Sequence, residues 1–435
     1  MKRISLIAIS MLAALSASAQ NSLWTLQDCI SYALEHNISI KRQDLVTKQA
    51  EVELESAKMS RLPGVSASAS QNFSFGRGLS ADNTYVNTNT ASTGFSLGSS
   101  ANLFSGFRTE ETIRLRALDL ESANVNLLRA KNDISMNVAA AYVQILYDME
   151  VLGVAERQVG IDSMQVERLA EMLTNGKASA VELSQQKAAM EQSRYTLTQA
   201  ENRLSLDLLT LSQLLELPSP EGFAIAPVGD MEPRLLENPE DIFRQALGIR
   251  PEIRYEELVL DSYDSQIKIA KSAYYPSLSL SGGIGSNYYN TKGISAPSFS
   301  EQLRNNFSQY VGLSLSVPIF NKFSTRNSVR IAEIGRTAQE LQLQNAKNTL
   351  YKEIQQAYYN AVAARSRFGS SLQAAKAAAE SFDMVKAKYE NGKASITEFN
   401  ESKNAALKSE SDLAQARCEL FYQAELLDFY KGIAF

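Results

Sequence analysis

The 435-residue chain is 44% hydrophobic and carries a formal net charge of −5, with one histidine and two cysteines. This acidic balance argues against a nucleic-acid partner, because binding a phosphate backbone needs clustered lysine and arginine. The single histidine, His36, belongs to no metal-ligand spacing or catalytic triad, and the sequence contains no phosphate-binding loop. We therefore predict a protein that is not an enzyme and that needs neither a metal nor a cofactor.

The first 19 residues have the pattern of a secretory signal peptide: Lys2 and Arg3, an apolar stretch, and the small-residue cleavage site Ala17-Ser18-Ala19. We expect the mature chain to be exported, and no later run of 18 apolar residues predicts a membrane-spanning helix. In an oxidising compartment Cys29 and Cys418 either form a disulfide or remain two small buried side chains. The sequence leaves both open.

The mature chain is predicted to consist of two structural repeats joined by a proline-rich linker at 218–238. The first repeat, 20–217, has short helices at 26–35 and 38–60, a β-hairpin at about 65–104 and a helical hairpin at about 109–217. The second repeat, 239–435, has short helices at 239–247 and 251–273, a β-hairpin at about 277–320 and a helical hairpin at about 324–430. Polar segments at 76–93 and 285–306 are predicted as the loops of the two β-hairpins.

Alternation with a period of two residues identifies the strands. In the last of them Val311, Leu313 and Leu315 alternate with Gly312 and Ser314. Apolar residues alternate with Ser, Asn or Gly in the other strands as well, and aromatic residues lie near the strand ends. This pattern is typical of outer-membrane strands, which contact lipid on one face and water on the other.

A seven-residue apolar period runs through both helical hairpins. In the first it includes Val138 and Ile145, and in the second, 216 positions later, it includes Ile354 and Ala361. At about 1.5 Å per residue the longer arms would extend roughly 95 Å. A strict seven-residue period predicts helices that pack in a left-handed supercoil.

Each helical hairpin reverses at the sequence Asn-Gly-Lys-Ala-Ser, at 175–179 and again at 391–395. Gly176 and Gly392 are predicted to end the long helices in a conformation with positive φ. Both turns also fit a capping box, in which Ser and Glu side chains satisfy free amides at the start of the next helix: Ser179 with Glu182, and Ser395 with Glu398.

One chain supplies four strands, which are too few to close a barrel, and an open sheet edge is not tolerated in lipid. Closure therefore requires several chains, and three chains would give twelve strands. We predict a mainly helical fold with a membrane β-barrel that several chains close together, continued by an α-helical tunnel. The two turns would then lie farthest from the membrane.

Over its mature length the chain resembles the TolC-like outer membrane efflux proteins. The resemblance rests on the duplicated order of elements, the paired glycine turns, the Leu-Phe-Ser-Gly and Ile-Phe-Asn segments that enter the long helices, and the run Ala-Leu-Gly-Ile-Arg-Pro-Glu-Ile at 246–253. It implies a homotrimer that forms a 12-stranded barrel in the cell outer membrane, with its α-helical tunnel in the periplasm. It also implies two partners, a periplasmic adaptor protein and an inner-membrane transporter that is either proton-driven or ABC-type.

In this family acidic residues of the second repeat close the tunnel at its turns, and the matching positions here are Glu398 and Glu401. A ring of such carboxylates attracts cations, although Glu398 is equally explained by its capping box alone. Well-studied members hold the gate shut with an Arg where this chain has Ala394. The resemblance also makes the turns the docking surface for the adaptor, and tight-turn chemistry alone explains the same small residues: Asn175, Gly176, Lys177, Ala178, Asn391, Gly392, Lys393 and Ala394.

We therefore expect an outer-membrane exit duct of a tripartite efflux system, which passively conducts substrates from an inner-membrane pump and adaptor to the exterior. One alternative is the same duct serving type I protein secretion, and neighbouring genes would distinguish the two. A more remote alternative is a trimeric coiled-coil surface fibre, and the two alternating β-hairpins count against it. The cargo is not readable, because a water-filled tunnel lined by Ser, Asn and Gln selects weakly.

Overall fold

The computed structural model describes residues 23–79, 83–227, 236–292 and 295–433, so the predicted signal peptide lies outside the described residues. The helices of the described residues are α1 Leu26–His36, α2 Ile38–Met59, α3 Arg108–Thr174, α4 Ala180–Leu214, α5 Pro239–Ile249, α6 Pro251–Ser272, α7 Phe299–Asn305, α8 Ser324–Glu390 and α9 Ile396–Tyr430. The strands are β1 Gly64–Leu79, β2 Tyr85–Phe104, β3 Ser277–Thr291 and β4 Ser308–Ser316.

The duplication extends to the lengths of the helices. The short helices α1 and α5 have 11 residues each, and α2 and α6 have 22 each. The long helices α3 and α8 have 67 residues each, and their return helices α4 and α9 have 35 each. Because corresponding helices have equal lengths, the seven-residue apolar period extends over the same distance in both helical hairpins.

The strands form one antiparallel sheet in the order β1-β2-β3-β4. Its register sorts the side chains onto two faces, because neighbours along a strand point in opposite directions. The face that we call the apolar face includes Val65, Ala67, Ala69, Phe73, Phe75, Phe95, Leu97, Leu280, Ile284, Val311, Leu313 and Leu315. The face that we call the polar face includes Ser66, Ser68, Ser70, Asn72, Ser92, Ser96, Asn102, Ser279, Ser281 and Ser314. The predicted alternation is therefore present over most of the sheet, with exceptions such as Gln71 and Ser99 on the apolar face and Tyr310 on the polar face.

The predicted loop at 76–93 is wrong for most of its length. Strand β1 continues to Leu79 and β2 begins at Tyr85, with Phe75 paired to Asn89 across the hairpin. A run of Asn and Thr resembles a loop in composition, but β-branched Thr residues are also well suited to cross-strand pairs. Polarity alone does not separate a loop from a strand that buries neither face.

The predicted loop at 285–306 is wrong for most of its length, since β3 continues to Thr291 and α7 occupies Phe299–Asn305. The pairing of β3 with β4 ends at Gly285, so the rest of this β3 edge has no strand partner there. Gln302 of α7 replaces that partner: its Nε2 donates to Tyr289 O at 2.9 Å, and Tyr289 N–H donates to its Oε1 at 3.0 Å. At the other end β4 stops at Ser316, short of the predicted 320, because Pro318 has no N–H to donate to a ladder.

Two compact units divide the chain differently from the sequence repeats. The unit that we call the helical unit comprises the described residues within Met1–Leu45, Val125–Arg254 and Gln344–Phe435, and the unit that we call the sheet unit comprises those within Val46–Asn124 and Tyr255–Leu343. Each unit takes segments from both repeats. Sequence duplication and spatial compactness therefore describe different levels of organisation in this chain.

The core of the helical unit contains both cysteines, and neither forms a disulfide. Burial raises the pKa of the Cys29 thiol to about 12 and that of Cys418 to about 11. The same core takes in part of the predicted linker: Ile225 forms a bridge with Trp24 and is 2% exposed. The Tyr142 hydroxyl donates to Ala226 O at 2.6 Å. These described linker residues pack against the core instead of crossing the surface.

Among the described helices, α3 contains a window that is long and apolar enough to cross a membrane by length and composition alone. The criterion of 18 uninterrupted apolar residues missed this window. Half of the window is buried inside the protein, which is equally what the core helix of a packed protein shows. Burial against other helices accounts for this composition.

Gly106 lies between β2 and α3, and substituting it tests how tightly the sheet unit is packed at this junction. Its φ is +65°, and an added Cβ would lie 2.5 Å from Ser272 O and 2.8 Å from Tyr275 Cβ. We expect Gly106→Ala to lower the free energy of unfolding by about 2 kcal/mol or more, from the left-handed backbone and the contact together. Gly64→Ala is the control, since no atom lies within 4 Å of its added Cβ. Equal thermal midpoints of the two purified variants would contradict this.

Candidate functional site

The two predicted turns have the same backbone geometry. Gly176 and Gly392 both have a φ of +70°. The Lys177 N–H donates to Met172 O at 2.7 Å, and the equivalent bond from Lys393 is 2.8 Å long. This six-to-one bond is the Schellman motif, in which a left-handed glycine satisfies the last carbonyls of a helix. Glycine is required by its φ, because nothing lies within 4 Å of a Cβ added at either position.

Both predicted capping boxes are present. The Glu182 carboxylate accepts from Ser179 N–H at 2.8 Å, and the Glu398 carboxylate accepts from Ser395 N–H at 2.7 Å. The serine hydroxyls accept in return from the glutamate N–H groups, at 3.1 and 3.2 Å. The Glu398 carboxylate therefore stabilises the start of α9 in addition to any role in a gate.

The structure brings the two turns together at one apolar cluster of the helical unit. Leu169, Ile396 and Phe399 form its centre, and Ala178 of the first turn packs against it. Phe399 is completely buried, and its ring centroid lies 5.0 Å from that of Tyr389. Residues from both repeats thus share one small core beneath the turns.

Arg168 is a second link beside this cluster, and sequence reasoning missed it. Its guanidinium carbon lies 5.4 Å from the centroid of the Tyr389 ring. Its Nη2 donates to Glu390 O at 3.3 Å, at the last residue of α8. A cation from the first repeat therefore holds the end of a helix from the second.

Glu398 and Glu401 are both exposed on α9, three residues apart. Glu401 forms no ion pair with any residue in the part of the chain that the structure describes. Two exposed carboxylates at this spacing lie on one side of the helix. Their position around a tunnel axis stays a prediction, as does the docking role of the turns.

Two residues beyond Glu401 the helix carries a buried charge. Lys403 is 2% exposed, and its Nζ forms an ion pair with Oδ1 of Asp162 on α3, which is fully buried. Gln186 Nε2 donates to the same oxygen at 2.9 Å, and Ser193 Oγ donates to Oδ2 at 2.5 Å. Donors from α4 and α9 therefore compensate the Asp162 carboxylate, as a buried charge requires.

The sequence did contain a signal for this network. Three residues after Ile145, and then at every seventh position, come Asp148, Ala155, Asp162 and Leu169. All four are at most 4% exposed, so this column of α3 is its buried seam over these residues. A carboxylate in such a seam needs a partner from another helix. Examining the residues that lie three positions after each member of the apolar series would have identified Asp162 as a buried carboxylate.

Asp148 is the second carboxylate of this column, and it pairs with another acid. Burial first, and then the neighbouring Asp207, raises the pKa of Asp148 to about 7. The hydrogen bond from Asp148 lowers the pKa of Asp207, and Arg203 Nε donates to Asp207 at 2.9 Å. Below about pH 7 we therefore expect the proton on Asp148 and the negative charge on Asp207.

Comparisons with known proteins agree with the duplicated fold described above. The family model described as "Outer membrane efflux protein" matches residues 29–216 and 242–428. The Escherichia coli "Outer membrane protein TolC" is 23% identical over 354 residues, which cover 78% of this chain and 71% of that one. The "Probable efflux pump outer membrane protein TtgC" of Pseudomonas putida is 27% identical over 204 residues, covering 46% of this chain and 39% of that one.

Solved structures share the fold. The outer membrane protein VceC of Vibrio cholerae superposes with a TM-score of 0.75 at 18% identity, covering 94% of this chain and 96% of that one. The CmeC outer membrane channel of Campylobacter jejuni gives a TM-score of 0.78 at 17% identity, covering 95% and 86%. The mainly helical fold with one antiparallel sheet is therefore that of these outer-membrane proteins.

Lys403→Met tests the buried ion pair. Removing the ammonium leaves a buried Asp162 carboxylate without its cation, so we expect a loss of about 3–5 kcal/mol of stability and a lower thermal midpoint in detergent. The double variant Lys403→Met/Asp162→Leu should recover most of that loss. Lys187→Met is the matched control, because Lys187 is the exposed counterpart of Lys403 in the first repeat. Equal midpoints for Lys403→Met and Lys187→Met would contradict the network.

Asp148→Asn tests the shared proton. The folded-state pKa of Asp148, about 7, lies above the ordinary value of about 3.9. Its stabilising contribution is therefore fully present below the ordinary value and is lost as the pH rises through 7. Because the amide stays neutral, we expect the stability of Asp148→Asn relative to the parent to increase from about pH 4 to about pH 8.

Thermal midpoints measured from about pH 2 to about pH 8 check this expectation, with Asp207→Asn as the comparison below about pH 4. The pKa of Asp207 is lowered, so its contribution is present above its ordinary value and is lost as the pH falls. Asp207→Asn should therefore lose stability relative to the parent as the pH rises through that value. The same pH profile for both variants would refute the assignment of the proton to Asp148.

Proposed function

The chain belongs to the outer membrane efflux protein family, and from this membership we propose that it is the exit duct of a tripartite efflux system. In this proposal the protein passively conducts substrates that an inner-membrane transporter, proton-driven or ABC-type, delivers through a periplasmic adaptor. The energy comes from the transporter. The observation that carries the proposal is the two-faced sheet.

The apolar face of the sheet is exposed in the single chain. On β4, Val311 is 84% exposed, Leu313 66% and Leu315 65%. Side chains of this kind in a row are unfavourable in water, whereas membrane lipid covers them at no cost. The polar face, with its serines and glycines, suits a water-filled interior. An apolar face on one side of the sheet and a polar face on the other support strands that cross a bilayer around an aqueous channel.

Both outer strands of the sheet have an edge that no described strand covers. β1 pairs with β2 alone and β4 with β3 alone. In lipid such edges must be paired, and β4 of one copy can pair with β1 of the next. Three copies then give a closed barrel of twelve strands, so a homotrimer is the assembly that we propose.

Exposed apolar residues on the long helix α8 support contacts between copies. Within the sheet unit, Ile331 is 70% exposed, Ile334 68% and Leu341 69%. Their spacing of three and seven residues places them along one stripe of the helix. In a trimer this stripe would pack against a neighbouring copy and contribute to the wall of a tunnel.

At the turns we propose a gate and a docking surface. Glu398 and Glu401 are exposed on α9 close to the second turn, as a ring of carboxylates requires. The position of the family's gate arginine is Ala394, so closure would rest on other contacts, of which Arg168 and the Lys403–Asp162 pair are available. The exposed turns themselves would receive the helical hairpins of the adaptor.

Single-channel conductance in planar bilayers tests the duct and the gate together. We expect small, cation-preferring currents from the parent and a loss of that preference in Glu398→Gln/Glu401→Gln. Gln keeps the capping bond, so the fold of α9 is retained. Glu182→Gln removes a carboxylate from the matching cap of the first repeat and should leave the preference unchanged. Equal preference in parent and double variant would refute the gate alone, and a parent that never conducts would refute the duct.

A further inference from the structure

The sheet is almost free of charged residues. Across strands β1 to β4, all of which are described, the single charged residue is Arg77. It follows Phe73 and Phe75 along β1 at intervals of two residues, so the three lie on the apolar face. On β1 this face carries Val65, Ala67, Ala69 and Gln71, then Phe73 and Phe75, and then Arg77 near the turn between β1 and β2.

A second cation lies on the same face. Lys292 follows β3 directly, and its N–H donates to Asn89 O at 2.9 Å, where Asn89 is the partner of Phe75. Lys292 is two residues beyond Asn290, which the register places on the apolar face. Strand spacing and residue rise put the backbones of Lys292 and Arg77 about 12 Å apart. Two long side chains at that separation can contact neighbouring parts of one headgroup.

Both cations are exposed, and neither forms an ion pair with a residue in the described ranges. The guanidinium carbon of Arg77 lies 6.0 Å from the centroid of the Tyr85 ring, which leaves its N–H donors for other acceptors. The charged residues of α7, Glu301 and Arg304, are exposed as well. A planar guanidinium and an ammonium group on the same face can both bind phosphate oxygens.

We propose that Arg77 and Lys292 bind the phosphate group of a phosphorylated lipid in the outer leaflet of the outer membrane. This inference rests on the proposed function, which places the apolar face in lipid. Along β1 the aromatic rings of Phe73 and Phe75 precede Arg77, as an aromatic belt precedes the headgroups at the edge of a bilayer. A basic residue is costly at the bilayer midplane and tolerated at the interface, so the position of Arg77 fixes the depth of the sheet.

Native mass spectrometry of the full-length protein in a neutral detergent tests this proposal. The probes are phosphatidic acid and a diacylglycerol with the same acyl chains. We expect Arg77→Gln/Lys292→Gln to bind phosphatidic acid about thirty-fold more weakly than the parent, because each basic residue near a membrane surface contributes about five-fold. Lys177→Gln/Lys393→Gln removes two positive charges from the turns and should bind as the parent does. Diacylglycerol should bind all three proteins equally.

Equal binding of phosphatidic acid by the parent and Arg77→Gln/Lys292→Gln would overturn the proposal. Displacement of the lipid by inorganic phosphate would overturn it too, since the site would then serve a free anion. Planar-bilayer conductance of the same samples separates the two levels of inference. A parent that does not conduct contradicts the duct itself, whereas a variant that conducts and still binds phosphatidic acid like the parent contradicts only the lipid site.

Discussion

The buried carboxylate of Asp162 is the constraint on which the packing of the helical unit depends. A charge removed from water is tolerated only where partners replace its hydration, and here Lys403, Gln186 and Ser193 do so from two other helices. Such a pair adds little stability compared with apolar packing of the same volume. It does penalise alternatives, because sliding α9 by one turn would leave both charges buried and unpaired. The apolar seam brings the helices together, and the ion pair selects their register.

Local rules predicted the elements that local chemistry determines. The left-handed glycines and the Ser–Glu capping boxes involve residues within one turn of each other, so the sequence identified Gly176, Gly392, Glu182 and Glu398 correctly in those roles. The two polar loops failed for the opposite reason. Whether Asn and Thr residues extend a hairpin, and whether Gln302 covers the free edge of β3, depends on partners distant in the chain. Sequence alternation does not report those partners.

Only some residues of the candidate site were predictable from the sequence, for the same reason. Resemblance to a family suggested Glu398 and Glu401, whereas the sequence analysis did not identify two of the links between the repeats, Arg168 with Tyr389 and Lys403 with Asp162. A comparison that treats the repeats as copies does not reveal these links. The residue that corresponds to Asp162 in the second repeat is Ala378, and the residue that corresponds to Lys403 in the first repeat is the exposed Lys187. Each repeat contributes one half of a pair. Duplication accounts for the architecture, and divergence between the copies supplies the contacts that join them.

Family membership confirms the outer-membrane localisation and the class of protein, an efflux channel component and not an enzyme. The distribution of charge is the physical counterpart of that assignment. The helical unit holds the buried Asp162 carboxylate, which specific partners compensate, whereas the strands hold one charged side chain, at one end of the apolar face. Specific partners can compensate a charge in a packed core, but acyl chains offer none, so strands that face lipid can keep a charge only where headgroups begin. One chain thus follows two different rules for burying charge, according to what surrounds it.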